Sequence, residues 1–110
     1  MHKGPSANWI EVFPGVRRHR LVATNQTYQM EVRLATGSQV PLHTHPHEQI
    51  TYVVHGRLRC QVGDETFEVG PGEAALMPSD TPHALWTLEA ALVIDTFVPA
   101  RADYLVADGD

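Results

Sequence analysis

The chain has 110 residues, 43% of them hydrophobic and 19% charged, with a formal net charge of −5. That length is near the commonest for one domain, so a single unit spanning residues 1–110 with its own core is expected. The acidity, without any clustered Lys/Arg footprint, argues against a nucleic-acid partner. No apolar run approaches the ~20 residues of a membrane span, and the start MHKGPSAN lacks a signal peptide's apolar core. The lone cysteine, Cys60, cannot form an internal disulfide, so a reducing, cytoplasmic setting and a small buried thiol are expected.

In chain order, residues 1–8 read as a loose leader, and 9–13 (WIEVF) as a short strand ended by Pro14-Gly15. Residues 16–23 and 28–35 read as two strands joined around Asn25. In the second, Tyr28, Met30, Val32 and Leu34 share one face, since side chains alternate along a strand. The basic run Arg17-Arg18-His19-Arg20 reads as a solvated edge strand, with a carboxylate-binding role as the lesser alternative. Further strands are expected at 50–54, 57–62, 66–69, 74–77, 84–87 and 90–98, with His55-Gly56 as a tight turn. After Pro99 the tail, residues 99–110, is expected to make a turn of helix with a mobile end. About ten short strands and no convincing helical period before Pro99 predict an all-β fold. So many strands in one small domain must curl closed or stack, so a small barrel is expected.

The chemistry concentrates between Gly37 and Gly56, in GSQVPLHTHPHEQITYVVHG. His43 and His45 stand at i and i+2, where one strand presents both imidazoles on one side. Imidazole suits several divalent metals, and the single cysteine leaves histidine and oxygen as the available ligands. Gln49 opens the next strand, where its amide oxygen can point the same way. His83 follows the compact turn Pro78-Ser79-Asp80-Thr81-Pro82. His47, next to the ladder-breaking Pro46, is read as an outer neighbour of the site or a surface residue. Glu48 is expected to face out, and His2, His19 and His55 to be ordinary surface histidines.

These spacings resemble the two motifs of the cupin family. Gly37, five residues, His43-x-His45, three residues, Gln49, six residues and Gly56 match the first. Gly72, five residues, Pro78, x, Asp80, two residues and His83 match the second. Gln49 replaces the family's usual Glu, and Asp80 its usual Gly. The resemblance implies a double-stranded β-helix, or jelly roll. It also implies one divalent ion (Zn, Ni, Fe or Mn) held by His43, His45, Gln49 and His83. With a neutral amide for the fourth ligand, such a centre keeps its full charge and leans toward Lewis-acid over redox chemistry. Small cupins of this kind imply a homodimer.

In the last strand, Val93, Asp95 and Phe97 share a face, and a carboxylate among aliphatic side chains is rarely buried unless paired or functional. The structural alternative is a hydrogen bond or ion pair with an inner Arg or Tyr. Taken together, HPHEQ and the pattern D-x-F-x-P-x-R-x-D-Y from Asp95 to Tyr104 resemble the pectin-degradation group of cupins. Trp9, Pro14 and Gly15 add a weaker likeness. That resemblance implies opening of 4,5-unsaturated uronates to 5-keto-4-deoxyuronates, with Asp95, Phe97 and Arg101 in catalysis or substrate contact. The substrate would be a small carboxylated sugar. Asp95 would be the general acid/base, Arg101 the carboxylate clamp, and Phe97 or Trp86 the platform for the sugar ring. The competing readings are an Fe(II) dioxygenase and a non-catalytic metal- or ligand-binding cupin.

Overall fold

The computed structural model describes residues 2–5 and 7–109; of the expected leader and tail, Met1, Ser6 and Asp110 lie outside them. Eight strands and one helix occur among the described residues. They are β1 (Ile10–Phe13), β2 (Val16–Ala23), β3 (Tyr28–Leu34), β4 (Gln39–His43), β5 (Glu48–Val62), β6 (Glu65–Val69), β7 (Ala74–Met77), β8 (His83–Val98) and α1 (Ala102–Asp108). The strand regions agree with the sequence reading, but their number is lower. Two pairs of expected strands are each continuous, giving β5 and β8 at 15 and 16 residues.

These two long antiparallel strands organise everything else. Along residues 91–98, β8 pairs with β3 and with the first half of β5, which also carries β7. Along residues 83–89, β8 pairs with β4 and with the second half of β5, which carries β6. One ribbon therefore contributes to two sheets that face each other, in the jelly-roll arrangement. The sheet does not close into a continuous barrel; β1 and β6 end the hydrogen-bonded path.

His55-Gly56 is accordingly a bend inside β5 and no tight turn. The pairing register with β8 slips repeatedly between Val53 and Leu58. Up to the bend the inward residues are Gln49, Thr51 and Val53; beyond it they are Leu58 and Cys60. The parity has changed by one, as an extra residue in a strand requires. Gly56 sits at φ +90°, and a Cβ there would lie 2.3 Å from the Ala90 carbonyl oxygen. Both the backbone conformation and the space demand glycine. We expect Gly56→Ala to cost roughly 2–4 kcal/mol, seen as a lowered urea midpoint. A midpoint unchanged from wild type would mean that β5 bends without it.

The core collects Tyr28, Met30, Val32 and Leu34 of β3 with Val53, Leu58 and Cys60 of β5 and Val93 and Phe97 of β8. Burial pushes the Cys60 thiol up to about 11, in keeping with a packing role. The basic run in β2 departs from expectation. β2 lies between β1 and β3 and is no edge. Val16, Arg18 and Arg20 alternate inward and are buried. Two guanidiniums are tolerated there because Asp108 of α1 meets both, Arg18 Nη1 at 2.9 Å and Arg20 Nη1 at 3.2 Å. His19, on the outer face, lies 3.2 Å from Glu31 and stacks on Trp9 with ring centroids 4.0 Å apart. It therefore has partners that its position in the sequence did not announce.

Candidate metal centre and active-site cavity

The fold of the ribbon brings the start of β8 opposite the start of β5. His43 of β4 and His83 of β8 are register partners, with ring centroids 4.3 Å apart. His45, in the loop before β5, lies 4.7 Å from His83 by the same measure. The backbone N–H of Asp80 donates to the His45 carbonyl at 2.9 Å, tying the Pro-rich turn to the histidine loop. Asp80 holds φ +58°, a left-handed conformation that glycine adopts freely and that Asp tolerates better than most residues.

The hydrogen bonds determine which nitrogens are free. Carbonyl oxygens only accept, so each Nδ1 is the donor: His43 to Pro41 (2.7 Å), His45 to His47 (2.9 Å) and His83 to Thr81 (2.9 Å). Burial lowers the pKa of His45 and pushes that of His83 down to about 4, so these two rings are neutral near pH 7. Their Nε2 atoms then carry bare lone pairs, and that of His83 is buried with no protein partner. Ligand nitrogens of His43, His45 and His83 all lie within 4.8 Å of one another. They are the one such cluster among the described residues.

Gln49 completes the pattern. The Thr51 hydroxyl spends its proton on Asp95 Oδ1 at 2.5 Å, so it can only accept from Gln49 Nε2 at 3.0 Å. That orients the Gln49 carbonyl oxygen toward His45 Nε2, 3.1 Å away. A cation beside these two atoms would satisfy both as acceptors. Three imidazoles, each oriented by a backbone carbonyl through its other nitrogen, form the supported donor set that divalent metals take. The residues present therefore fit a metal ion, whose identity the donor set leaves open.

The same residues open onto a cavity lined by Gln49, His43, His83, Asp95, Phe97 and Arg101, together with Arg18, Tyr104 and aliphatic side chains. Asp95 is 7% exposed, and burial raises its carboxyl from 3.8 to about 6, against the lowering effects of Thr51, Gln49 and Arg101. Arg101 makes a two-point contact with Asp103, Nε to Oδ1 at 3.0 Å and Nη2 to Oδ2 at 2.9 Å. A guanidinium has five N–H donors in one plane, of which Asp103 takes one on Nε and one on Nη2. Its central carbon lies 4.9 Å from the Phe97 ring centre and 3.8 Å from that of Tyr104.

The structure thus brings His43, Gln49, His83, Asp95, Phe97 and Arg101 around one cavity, with His45 joined to it through His43 and His83. Trp86 is not among them: Leu85 and Thr87 point inward on β8, and Trp86 lies on the other face. His47 sits beside the site, its ring 5.4 Å from that of His45 and 6.3 Å from that of Phe97. Glu48 is exposed, as expected. Three residues near the cavity were given no part in it by the sequence reading. Thr51 carried a usable signal, since it shares parity with Gln49. Arg18 carried one too, alternating with Val16. Tyr104 carried none beyond its place in the final motif.

The Cupin domain family matches residues 30–97. The chain belongs to the cupin family. Within it, the chain is 30% identical over 99 residues to the pectin degradation protein KdgF of Dickeya dadantii, covering 88% of this chain and 90% of that one. The solved structure of KdgF from Halomonas sp. superposes with a TM-score of 0.84 at 34% identity, again over 88% and 90% of the two chains. An RmlC-like cupin from Shewanella frigidimarina gives a TM-score of 0.86 at 23% identity over 94% and 99%, a likeness of fold. No helix among the described residues is long and apolar enough to cross a membrane.

Proposed function

We propose that the protein is a metal-dependent enzyme that opens 4,5-unsaturated uronates to 5-keto-4-deoxyuronates, as its similarity to a pectin degradation protein suggests. The observation that carries this reading is Asp95, a buried carboxyl raised to about 6 in the same cavity as the histidine cluster and Arg101. A group poised there can both accept and return a proton near neutral pH.

The substrate is a cyclic hemiacetal whose ring oxygen sits on the C4=C5 double bond, with a carboxylate at C6. Opening breaks the C1–O5 bond as the C1 hydroxyl loses its proton, leaving an aldehyde at C1 and an enolate across O5, C5 and C4. Delivery of a proton to C4 then yields the ketone, so the net change is an isomerisation and needs no oxidant. The bound divalent ion would polarise a substrate oxygen, strengthened by the absence of an anionic ligand. Asp95 takes and returns the proton, held in place by the Thr51 hydroxyl. Arg101 holds the carboxylate, and Phe97 lines the cavity beside it, its ring under the guanidinium.

The test is proton NMR of metal-loaded protein with 4,5-unsaturated galacturonate, measured against the spontaneous rate. Acceleration that a chelator abolishes is the expected result. A rate equal to the spontaneous one with Zn, Ni, Fe and Mn would remove this substrate.

We also propose that the chain forms a homodimer. Ile50 and Leu76 are register partners on the outer face, and both are exposed, as are nearby Tyr52 and Val98. A contiguous apolar strip on a sheet is the kind of surface that a second copy covers. Light scattering is expected to give twice 12.2 kDa for wild type and 12.2 kDa for Ile50→Glu. A wild-type mass of 12.2 kDa would end this proposal.

A further inference from the structure

Helix α1 has seven residues and none of them is fully buried, yet its segment supplies one wall of the cavity. Tyr104 lines that wall from within the helix, and Arg101 stands at its N-cap. Tyr104 and Leu105 pack partly against the core, Tyr104 edge-on to Tyr28 and Phe97, while the rest of the helix adds no buried apolar side chain. The firmest tie lies at the other end of the helix. The Asp108 side chain is 1% exposed. It accepts from Tyr28 Oη at 2.6 Å, Arg18 Nη1 at 2.9 Å and Arg20 Nη1 at 3.2 Å. All three partners belong to the barrel strands β2 and β3. Arg18 in turn lies 4.1 Å from the Tyr104 ring centre, so the contact at Asp108 continues into the cavity wall. Arg101 itself is bonded to Asp103 of its own segment and otherwise meets the sheet by lying over the Phe97 ring, so its position follows how the segment is seated.

We propose that Asp108 is a positioning residue that latches α1 against the barrel and thereby holds Arg101 and Tyr104 where an anionic ligand meets them. This rests on the reading of Arg101 as the anion anchor. Asp108 touches no ligand; its charge is complementary to two buried guanidiniums, and it acts through the segment that they seat. Charge-assisted hydrogen bonds of this kind are the strong ones, so losing the charge should free the helix well before the strands.

The test pairs hydrogen exchange with ligand binding, using the full chain. The probe is galacturonate, a saturated uronate that has no C4=C5 bond to open. For Asp108→Asn, amides of residues 102–109 are expected to exchange about tenfold faster while those of β5 and β8 are unchanged. Galacturonate affinity is expected to fall about tenfold, with no further loss when the change is made in an Arg101→Ala background. Should Asp108→Asn loosen the whole sheet, Tyr28→Phe removes one contact to the same carboxylate. It should produce a smaller change in the same direction. Unaltered exchange in residues 102–109, or a full loss of affinity that persists without Arg101, overturns the proposal. If wild type binds no galacturonate, or Arg101→Ala binds it equally well, the anchor reading is what fails. The exchange data then decide the latch alone.

Discussion

Asp95→Asn is expected to slow uronate opening by roughly 10²–10⁴-fold while leaving metal content unchanged. The substitution is nearly isosteric, and the Asn carbonyl can still accept from the Thr51 hydroxyl that now meets Asp95 at 2.5 Å. Gln49 keeps its own bond to Thr51, so the histidine cluster and its amide neighbour retain their orientation. What disappears is a group that can carry a proton. An amide neither takes the proton from the C1 hydroxyl nor supplies one to C4, and both transfers fall back on water. Turnover by proton NMR, with metal measured by elemental analysis on the same preparation, separates the two effects. A variant within about tenfold of wild type would place the proton transfer elsewhere in the cavity.

The second large effect is expected at His83, where His83→Ala should weaken divalent-metal affinity by more than about a hundredfold. Loss of a residue that only supports a ligand already costs about ten- to a hundredfold, and His83 offers its own buried, unpartnered Nε2 to the site. In chelator-treated protein the variant also loses the Nδ1–Thr81 hydrogen bond, so the metal-free melt of each protein is its own baseline. Thermal melts with and without added metal make the distinction. An ion bound at about a hundred times its dissociation constant stabilises wild type by about 2.7 kcal/mol, and that gain should vanish in the variant. An undiminished metal-induced rise in Tm would show that the ion binds away from this cluster.

Much of this site could be read from residue order alone because its logic is local. The i, i+2 spacing of His43 and His45 marked the pair, although β4 ends at His43 and His45 reaches the cluster from the following loop. The Pro-rich turn before His83 marks an abrupt change of direction. Asp95 stood out because an acid among Val93, Ile94 and Phe97 conflicts with the burial its neighbours imply. The same local alternation located nearly every strand. It could not show that β5 and β8 run through their breaks, because glycine at position 56 marks a bend and a turn equally well.

The remaining features depend on contacts between residues far apart in the chain. Arg18 and Arg20 read as solvated because buried arginines need compensation, and their compensating carboxylate lies some 90 positions away at Asp108. The role of Thr51 emerges only once β5 and β8 are in register, when its hydroxyl lies between Gln49 and Asp95. Trp86 and Phe97 were both named as a sugar platform until the pleat of β8 put Trp86 outside the cavity and Phe97 at its lining. The sequence by itself determined the all-β class, the family motifs and the identities of the ligand candidates, all matters of spacing along one strand or turn. Only the tertiary structure decided which lone pairs converge and which charges are neutralised. Those outcomes depend on how one bent ribbon folds across itself, and no local pattern encodes that distance.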